Sequence, residues 1–237
     1  MGTLDRRVVV ITGASGNLGV AVARAARGAG ARTALVDRDA ARLAAAHPEI
    51  ATSPDHVLAA VDLGDRAAVE AFVARVTGSL GAPTGLVNTV GGYQAGDPVA
   101  DSEWSTWESM FALNVRPSLH CIRAVVPGMR AAGGGAIVNV ASLAALAADP
   151  GAAAYGAAKA ALLRLGEALA AEVRADGIRV NAVLPGALDT PQNRAWMSPE
   201  QVATAIDLGA LADVVLFLLG DASRAVNGAA IRVTGRQ

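Results

Sequence analysis

The sequence predicts an α/β fold: a single-domain, doubly wound parallel sheet of seven strands with helices on both faces. Three observations carry this. Short β-branched runs alternate with longer alanine-rich stretches at helical spacing from start to finish. Runs such as Val8–Thr12 are continuously apolar, as strands covered on both faces must be. No shift in composition marks a second domain, and 237 residues suit one α/β unit spanning 1–237.

Val8–Thr12 is the first strand, Gly13–Gly19 a glycine-rich turn, and Val20–Arg27 the first helix. Thr33–Val36 is a second strand, Ala40–Ala46 a helix and Val57–Val61 a third strand. Asp65 caps a helix that runs to about Thr77, before Gly78 and Gly81 stop it. Leu86–Asn88 is the fourth strand, and Ser102–Met129 reads as one long helical region. Ala136–Val140 is the fifth strand, Ala152–Ala175 a second long helix and Arg179–Val183 the sixth strand. Leu211–Leu219 is helical and Ala229–Val233 closes the sheet. Two loops rich in glycine and proline, Gly91–Pro98 and Leu184–Pro199, follow strands. Sheets of this kind place their sites there, at the carboxyl ends of strands.

Composition excludes several classes. Hydrophobic residues make up 53% and charged residues 17%, which rules out intrinsic disorder. A net charge of -1 without a basic block offers no nucleic-acid surface. Ala136–Leu163 is interrupted by Asn139, Asp149, Pro150 and Lys159, and Ala210–Leu219 is too short to span a bilayer, so no membrane association is expected. The one cysteine, Cys121, cannot form an intrachain disulfide, and the apolar run after Arg7 is too short for a signal-peptide core. Together these point to a reducing cytoplasm.

Gly13, Gly16 and Gly19 sit between the first strand and the first helix, with Ser15, Asn17 and Leu18 among them. Glycines there allow a tight turn and close approach of backbone N–H groups to a pyrophosphate, although ordinary strand–helix turns also use them. Asp37 ends the second strand, 18 residues after Gly19. Its carboxylate can accept from both adenosine ribose hydroxyls and repels a 2′-phosphate, which favours NAD(H) over NADP(H). Arg38 beside it could attract that phosphate, and a solvent-facing aspartate is the plainer alternative for Asp37. Asp62, with Leu63 after it, could meet the adenine edge or cap the next turn.

Tyr155 and Lys159 are four residues apart in a predicted helix, which puts both on one face. A nearby cation favours phenolate and is expected to lower the phenol pKa toward neutrality. Tyr155 could then pass a proton to or from a carbonyl oxygen, a contribution of about 10²–10⁴-fold. Lys159 is the only lysine among 20 Lys and Arg residues, which suits a compact ammonium that an arginine fork cannot replace. Tyrosine is equally scarce, with Tyr93 the other of two. Ser142 follows the fifth strand and could bond a substrate oxygen or cap a turn. Asn114 lies inside the long helix, where it could hold a water on a proton path or mark a kink.

Thr12-Gly13 through Gly19, Asn88 with Gly91, Asn114, Ser142, Tyr155 with Lys159, and Pro185-Gly186 through Thr190 together resemble the short-chain dehydrogenase/reductase family, in its order and over essentially the whole chain. The resemblance implies a Rossmann fold and an NAD(P)(H)-dependent oxidoreductase interconverting a ketone and a secondary alcohol. It implies a catalytic tetrad of Asn114, Ser142, Tyr155 and Lys159, with Lys159 also on the nicotinamide ribose. Leu188 and Thr190 would contact the carboxamide, and Asn88 would stabilise the sheet beside the cofactor. It further implies a homotetramer or homodimer packed through the two long helices and the last strand.

Two positions depart from the family pattern. The spacing Gly13-x-x-Gly16-x-x-Gly19 is nearer that of longer members such as sugar-nucleotide epimerases, and Asn88-Thr89-Val90-Gly91 replaces Asn-Asn-Ala-Gly. Neither is expected to remove cofactor binding.

The substrate loop, about 186–199, looks short, and its Asp189–Arg194 run resembles dihydropteridine reductases and some 3-oxoacyl-carrier-protein-reductase-like members. A small-molecule or carrier-tethered carbonyl compound with a largely apolar body is expected, since Leu143, Ala144 and Leu188 surround it. Arg194 could bind a substrate anion or pair with Asp189. A dihydropteridine-type reductase and a non-catalytic nucleotide-binding regulator are the alternatives. Trp104, Trp107 and Phe111 share a helix face and read as core or subunit contact. His47, His56 and His120 lack metal-ligand spacing and read as structural or solvent-exposed, so no metal is expected, and Cys121 reads as a small buried apolar residue.

Overall fold

The computed structural model of the chain describes residues 2–50, 53–147 and 149–235. Among them, seven strands form one wholly parallel sheet: Val8–Thr12 (β1), Arg32–Asp37 (β2), His56–Ala60 (β3), Gly85–Asn88 (β4), Gly135–Val140 (β5), Ile178–Pro185 (β6) and Ala230–Val233 (β7). Their order is β3-β2-β1-β4-β5-β6-β7. The chain winds outward from β1 in one direction and, after crossing back to β4, outward in the other. The doubly wound Rossmann architecture is therefore present, and its switch point lies between β1 and β4.

The strands alternate between two cores. Val9 and Ile11 of β1 enter a cluster with Leu18 and Val22 of α1 (Asn17–Gly28), Leu43 of α2 (Ala40–Ala46) and Leu211, Val215 and Leu218 of the last helix. Val8 and Val10 face the other way. They pack with Val69 and Val76 of α3 (Arg66–Leu80), and with the buried faces of the helices that follow β4 and β5. Helices thus cover both faces, which is why the strands read as continuous apolar runs.

Some boundaries differ from expectation. The expected single helix over 102–129 is two helices, α4 (Trp104–Asn114) and α5 (Arg116–Ala131), parted at Val115. Pro117 explains the break, because it lacks the N–H that would continue the ladder across the junction. Asn114 thereby becomes the last residue of α4 instead of lying mid-helix. The first helix starts three residues early, at Asn17, and β3 runs one residue earlier than predicted. After β5 comes α6 (Ala153–Glu172). The loop after β6 holds two helices that its proline and glycine content concealed, α7 (Pro191–Arg194) and α8 (Pro199–Thr204). Thr190 and Ser198 cap them. The chain then returns through α9 (Leu208–Leu219) to β7.

Candidate active site

At the carboxyl end of β1 the backbone turns through Gly13, whose φ of 59° lies in the left-handed region. Gly19 is fixed by contact: a Cβ there would sit 2.1 Å from the Gly13 carbonyl oxygen, so helix and strand approach more closely than any other residue permits. Gly16 caps α1 without a side chain, and no acidic residue occupies the first turn. That helix N-terminus, its dipole uncompensated, suits a nucleotide pyrophosphate. Thr89 replaces the expected asparagine and earns its place by bonding. Its hydroxyl donates to the Thr12 carbonyl at 2.6 Å and its N–H donates to the Thr12 hydroxyl at 3.0 Å.

Asp37 ends β2 and reaches the same turn. Its Oδ2 accepts from the N–H of Ser15 at 3.0 Å and from the Ser15 hydroxyl at 2.7 Å, while Oδ1 accepts from the Arg38 N–H at 2.8 Å. Burial pushes the carboxyl pKa up, but hydrogen bonds from the Ser15 hydroxyl and from the N–H groups of Ser15, Arg38 and Asp39 together outweigh it and hold Asp37 below 3.8. A fixed anion therefore stands at the end of β2, beside the glycine turn. Arg38 is exposed. Asp62 lies two residues beyond β3, and its Oδ1 accepts from the Gly64 N–H at 2.8 Å, the turn-capping arrangement. Leu63 is buried beneath it, and its carbonyl meets His120 Nδ1 at 3.0 Å.

The second group gathers at the ends of β4 and β5. Asn88 and Asn139 are register partners, and the Asn88 amide donates to Asn139 Oδ1 at 2.9 Å. Asn114 is buried and clasps the loop after β4. Its Oδ1 accepts from the Gly92 N–H and its Nδ2 donates to the Gly92 carbonyl, both at 3.1 Å, with a further bond to the Met110 carbonyl at 3.0 Å. A Cβ at Gly91 would fall 2.7 Å from Asn114 Oδ1 and 2.9 Å from Lys159 Nζ, so this one glycine brings two candidate side chains together.

Tyr155 and Lys159 occupy one face of α6, as the spacing predicted. Lys159 is only 5% exposed, and its Nζ donates to the Val140 carbonyl at 3.1 Å. Burial lowers its pKa from 10.5 to about 8. The expected lowering of the Tyr155 pKa is not found. Burial raises it, the neighbouring Ser142 hydroxyl works against the rise, and Tyr93 adds to it. The ammonium is turned to the Val140 carbonyl and lies 5.9 Å from the centre of the tyrosine ring, and burial of the phenol decides the direction. Ser142 also caps the short turn Leu143–Ala145 by accepting from the Ala144 N–H at 3.2 Å.

Pro185 is the last residue of β6, and the N–H of Gly186 donates to Val233 of β7 at 3.0 Å. Leu188 pairs as a parallel bridge with Ile206, which closes the base of the substrate loop. Thr190 is buried, its hydroxyl accepting from the Asn193 N–H at 3.1 Å. Within that loop Arg194 forms a two-pronged ion pair with Asp189. The pair with Asp189 that the sequence offered for Arg194 is thus formed, through Nε and Nη2. Gln192 crosses to the glycine turn, where its Oε1 accepts from Asn17 Nδ2 at 2.8 Å.

Sequence reasoning passed over Tyr93. Its ring meets Tyr155 edge to face with centroids 5.0 Å apart, and 67% of it is exposed. The one signal in the sequence was scarcity, since Tyr93 is the only tyrosine besides Tyr155. Of the aromatic residues expected to share a face, Trp107 packs in the cluster holding Met110, Ala158 and Tyr155, whereas Trp104 is 70% exposed. The three histidines all bond within the fold. Cys121 is buried, and its thiol is pushed up to about 12. Among the described residues, no helix is long and apolar enough to cross a membrane.

Comparison with known proteins agrees with this geometry. The family model described as short chain dehydrogenase matches residues 7–201. The chain is 34% identical to 2-(R)-hydroxypropyl-CoM dehydrogenase of Xanthobacter autotrophicus, over 97% of each. It is 33% identical to meso-2,3-butanediol dehydrogenase of Serratia marcescens, over 98% of this chain and 94% of that one. Among solved structures it resembles 7 alpha-hydroxysteroid dehydrogenase complexed with NADH and 7-oxo glycochenodeoxycholic acid, with a TM-score of 0.90 and 27% identity over 98% and 94% of the two chains.

Proposed function

Since the chain belongs to the short-chain dehydrogenase family and is an oxidoreductase of alcohol or ketone groups with a nicotinamide nucleotide, we propose that Tyr155 moves the proton in that reaction. The observation that carries this is the meeting of Asn114 and the chain's only lysine against Gly91, with Tyr155 one helical turn before that lysine and beside Ser142. The bound nucleotide would supply or accept the hydride.

The phenol, held protonated by its burial, donates to a carbonyl oxygen in reduction and takes the proton back in oxidation. Ser142, beside it, orients that oxygen. Lys159 supplies positive charge beneath the site, where it favours the phenolate left after donation and holds the nicotinamide ribose. Asn114 fixes the loop carrying Gly91 and Gly92 against both.

The glycine turn, with Gly13, Ser15, Gly16, Asn17, Leu18 and Gly19, receives the pyrophosphate. Asp37 accepts from the ribose hydroxyls. As an anion it disfavours a 2′-phosphate, so NAD(H) is the proposed nucleotide in spite of Arg38. Asp62 and Leu63 border the adenine, and Asn88 with Gly91 the ribose. Pro185, Gly186, Leu188 and Thr190 frame the carboxamide. With Tyr93 against the ring of Tyr155 and Leu188 at the base of the substrate loop, the substrate body is largely apolar. Exposed Trp104, Phe111 and Leu119 on α4 and α5 support the proposed homotetramer or homodimer, packed through the long helical regions and the last strand.

The test follows NADH and NADPH oxidation against small ketones, bulky cyclic ketones, 3-oxoacyl thioesters and a quinonoid pterin. Turnover of an uncharged ketone with NADH is expected. Turnover of the pterin alone, or of no carbonyl despite tight nucleotide binding, would overturn this reading, and turnover only with NADPH would overturn the role of Asp37.

A further inference from the structure

His47 has no exposed surface, lies just beyond α2 far from the reacting phenol, and is used by nothing described above. Its Nε2 stands 2.8 Å from the carbonyl oxygen of Ala14, in the glycine turn, and its Nδ1 stands 3.4 Å from Arg27 Nη1. A guanidinium can only donate, so Nδ1 is the acceptor and Nε2 carries the proton that is donated to Ala14. The tautomer is fixed from both sides. Arg27 is held in turn by an ion pair with Glu49.

The Ala14 carbonyl and the Ser15 N–H belong to one planar peptide unit and point in opposite directions. That unit is held at both poles: His47 donates to its oxygen, and Asp37 accepts from its N–H at 3.0 Å. It stands between Gly13 and Gly16, where φ and ψ are least restrained by side chains. Rotation of this one peptide would swing the N–H groups that receive a phosphate.

We infer that His47 is a positioning residue for the nucleotide. By holding the Ala14–Ser15 peptide plane it sets the glycine turn for pyrophosphate. The inference rests on the reading of that turn as the nucleotide site. Protonation at Nδ1 would aim an N–H at the Arg27 guanidinium and break the outer bond. The charged groups facing the ring are Arg24 and Arg27 of α1 and Glu49 of the following turn. Burial disfavours the imidazolium, the Ala14 carbonyl favours it, Arg27 and Arg24 oppose it, Glu49 supports it, and the balance holds His47 below 6.5.

The test is calorimetric titration of the full chain with NAD⁺, comparing the unaltered protein with His47→Leu and His47→Gln. Leucine fills the space but leaves the buried Ala14 oxygen without a donor, and NAD⁺ binding should weaken about tenfold. Glutamine can place an amide N–H where Nε2 stood, and its affinity should stay within about threefold of the unaltered protein. The loss should fall on the KM for nucleotide and not on kcat.

Equal losses in the leucine and glutamine variants would overturn the inference, as would leucine binding within twofold. A tenfold or greater loss of NAD⁺ affinity in His47→Gln would do so too, and it decides the matter even if His47→Leu fails to fold. An unaltered chain that binds neither NAD⁺ nor NADP⁺ would overturn the site reading itself, and this role with it.

Discussion

Replacing Lys159 with methionine keeps most of the stem and deletes the charge, and the structure sets the size of the effect. The ammonium is 5% exposed, and burial lowers its pKa from 10.5 to about 8. In the unfolded chain the same group titrates near 10.5. Between those values the unfolded chain binds a proton that the folded chain does not, so stability rises with pH across that window. At pH 7 burial of the charge opposes folding by about 3 kcal/mol, and raising the pH to 9.5 relieves about 2 kcal/mol of this. Urea unfolding of both proteins at the two pH values, without nucleotide, isolates the lysine, because groups common to both cancel in the difference. The unaltered protein should gain about 2 kcal/mol relative to Lys159→Met on moving from pH 7 to 9.5. Parallel behaviour of the two proteins, or a difference of opposite sign, would refute the claim that a strained ammonium is held in the site.

Gly91→Ala places a methyl 2.7 Å from Asn114 Oδ1 and 2.9 Å from Lys159 Nζ, so each must retreat by about half an ångström or more. Misplacement on that scale should lower kcat/KM by about 10²-fold with little change in Tm, and a loss below about threefold would contradict the shared packing. Asp37→Ala removes the anion at the end of β2. The ratio of kcat/KM for NADPH over NADH should rise about tenfold or more, and an unchanged ratio would show that the carboxylate does not select the nucleotide.

The seven strands were legible because burial on both sheet faces leaves continuous apolar runs, and Val8–Thr12 matched its strand from end to end. The sequence misled where bonding, not periodicity, decided the outcome. One helix became two at Val115, since the apolar spacing runs on through Pro117 while the backbone ladder cannot. The helices of the 186–199 region were hidden because each is a single short stretch started by Thr190 or Ser198, with little apolar pattern of its own. The tetrad candidates were legible from residue type and spacing. The titration of Tyr155 was not, because it depends on how deeply the phenol is buried and on Ser142 and Tyr93, which lie far from it in sequence. Arg194 was ambiguous for a related reason: its partner Asp189 lies five residues away, in reach only once the loop folds into α7. His47 was read as structural, and its contact with Ala14 spans 33 residues that no local pattern connects.

The central claim is that the Tyr155 phenol moves the proton while the rest of the chain binds the nucleotide. Tyr155→Phe deletes one oxygen and keeps the ring, including its edge-to-face contact with Tyr93. The decisive measurement pairs ketone turnover with NAD⁺ affinity in that variant. Turnover should fall about 10²-fold or more with affinity within about threefold of the unaltered protein. Turnover retained within tenfold would contradict the account.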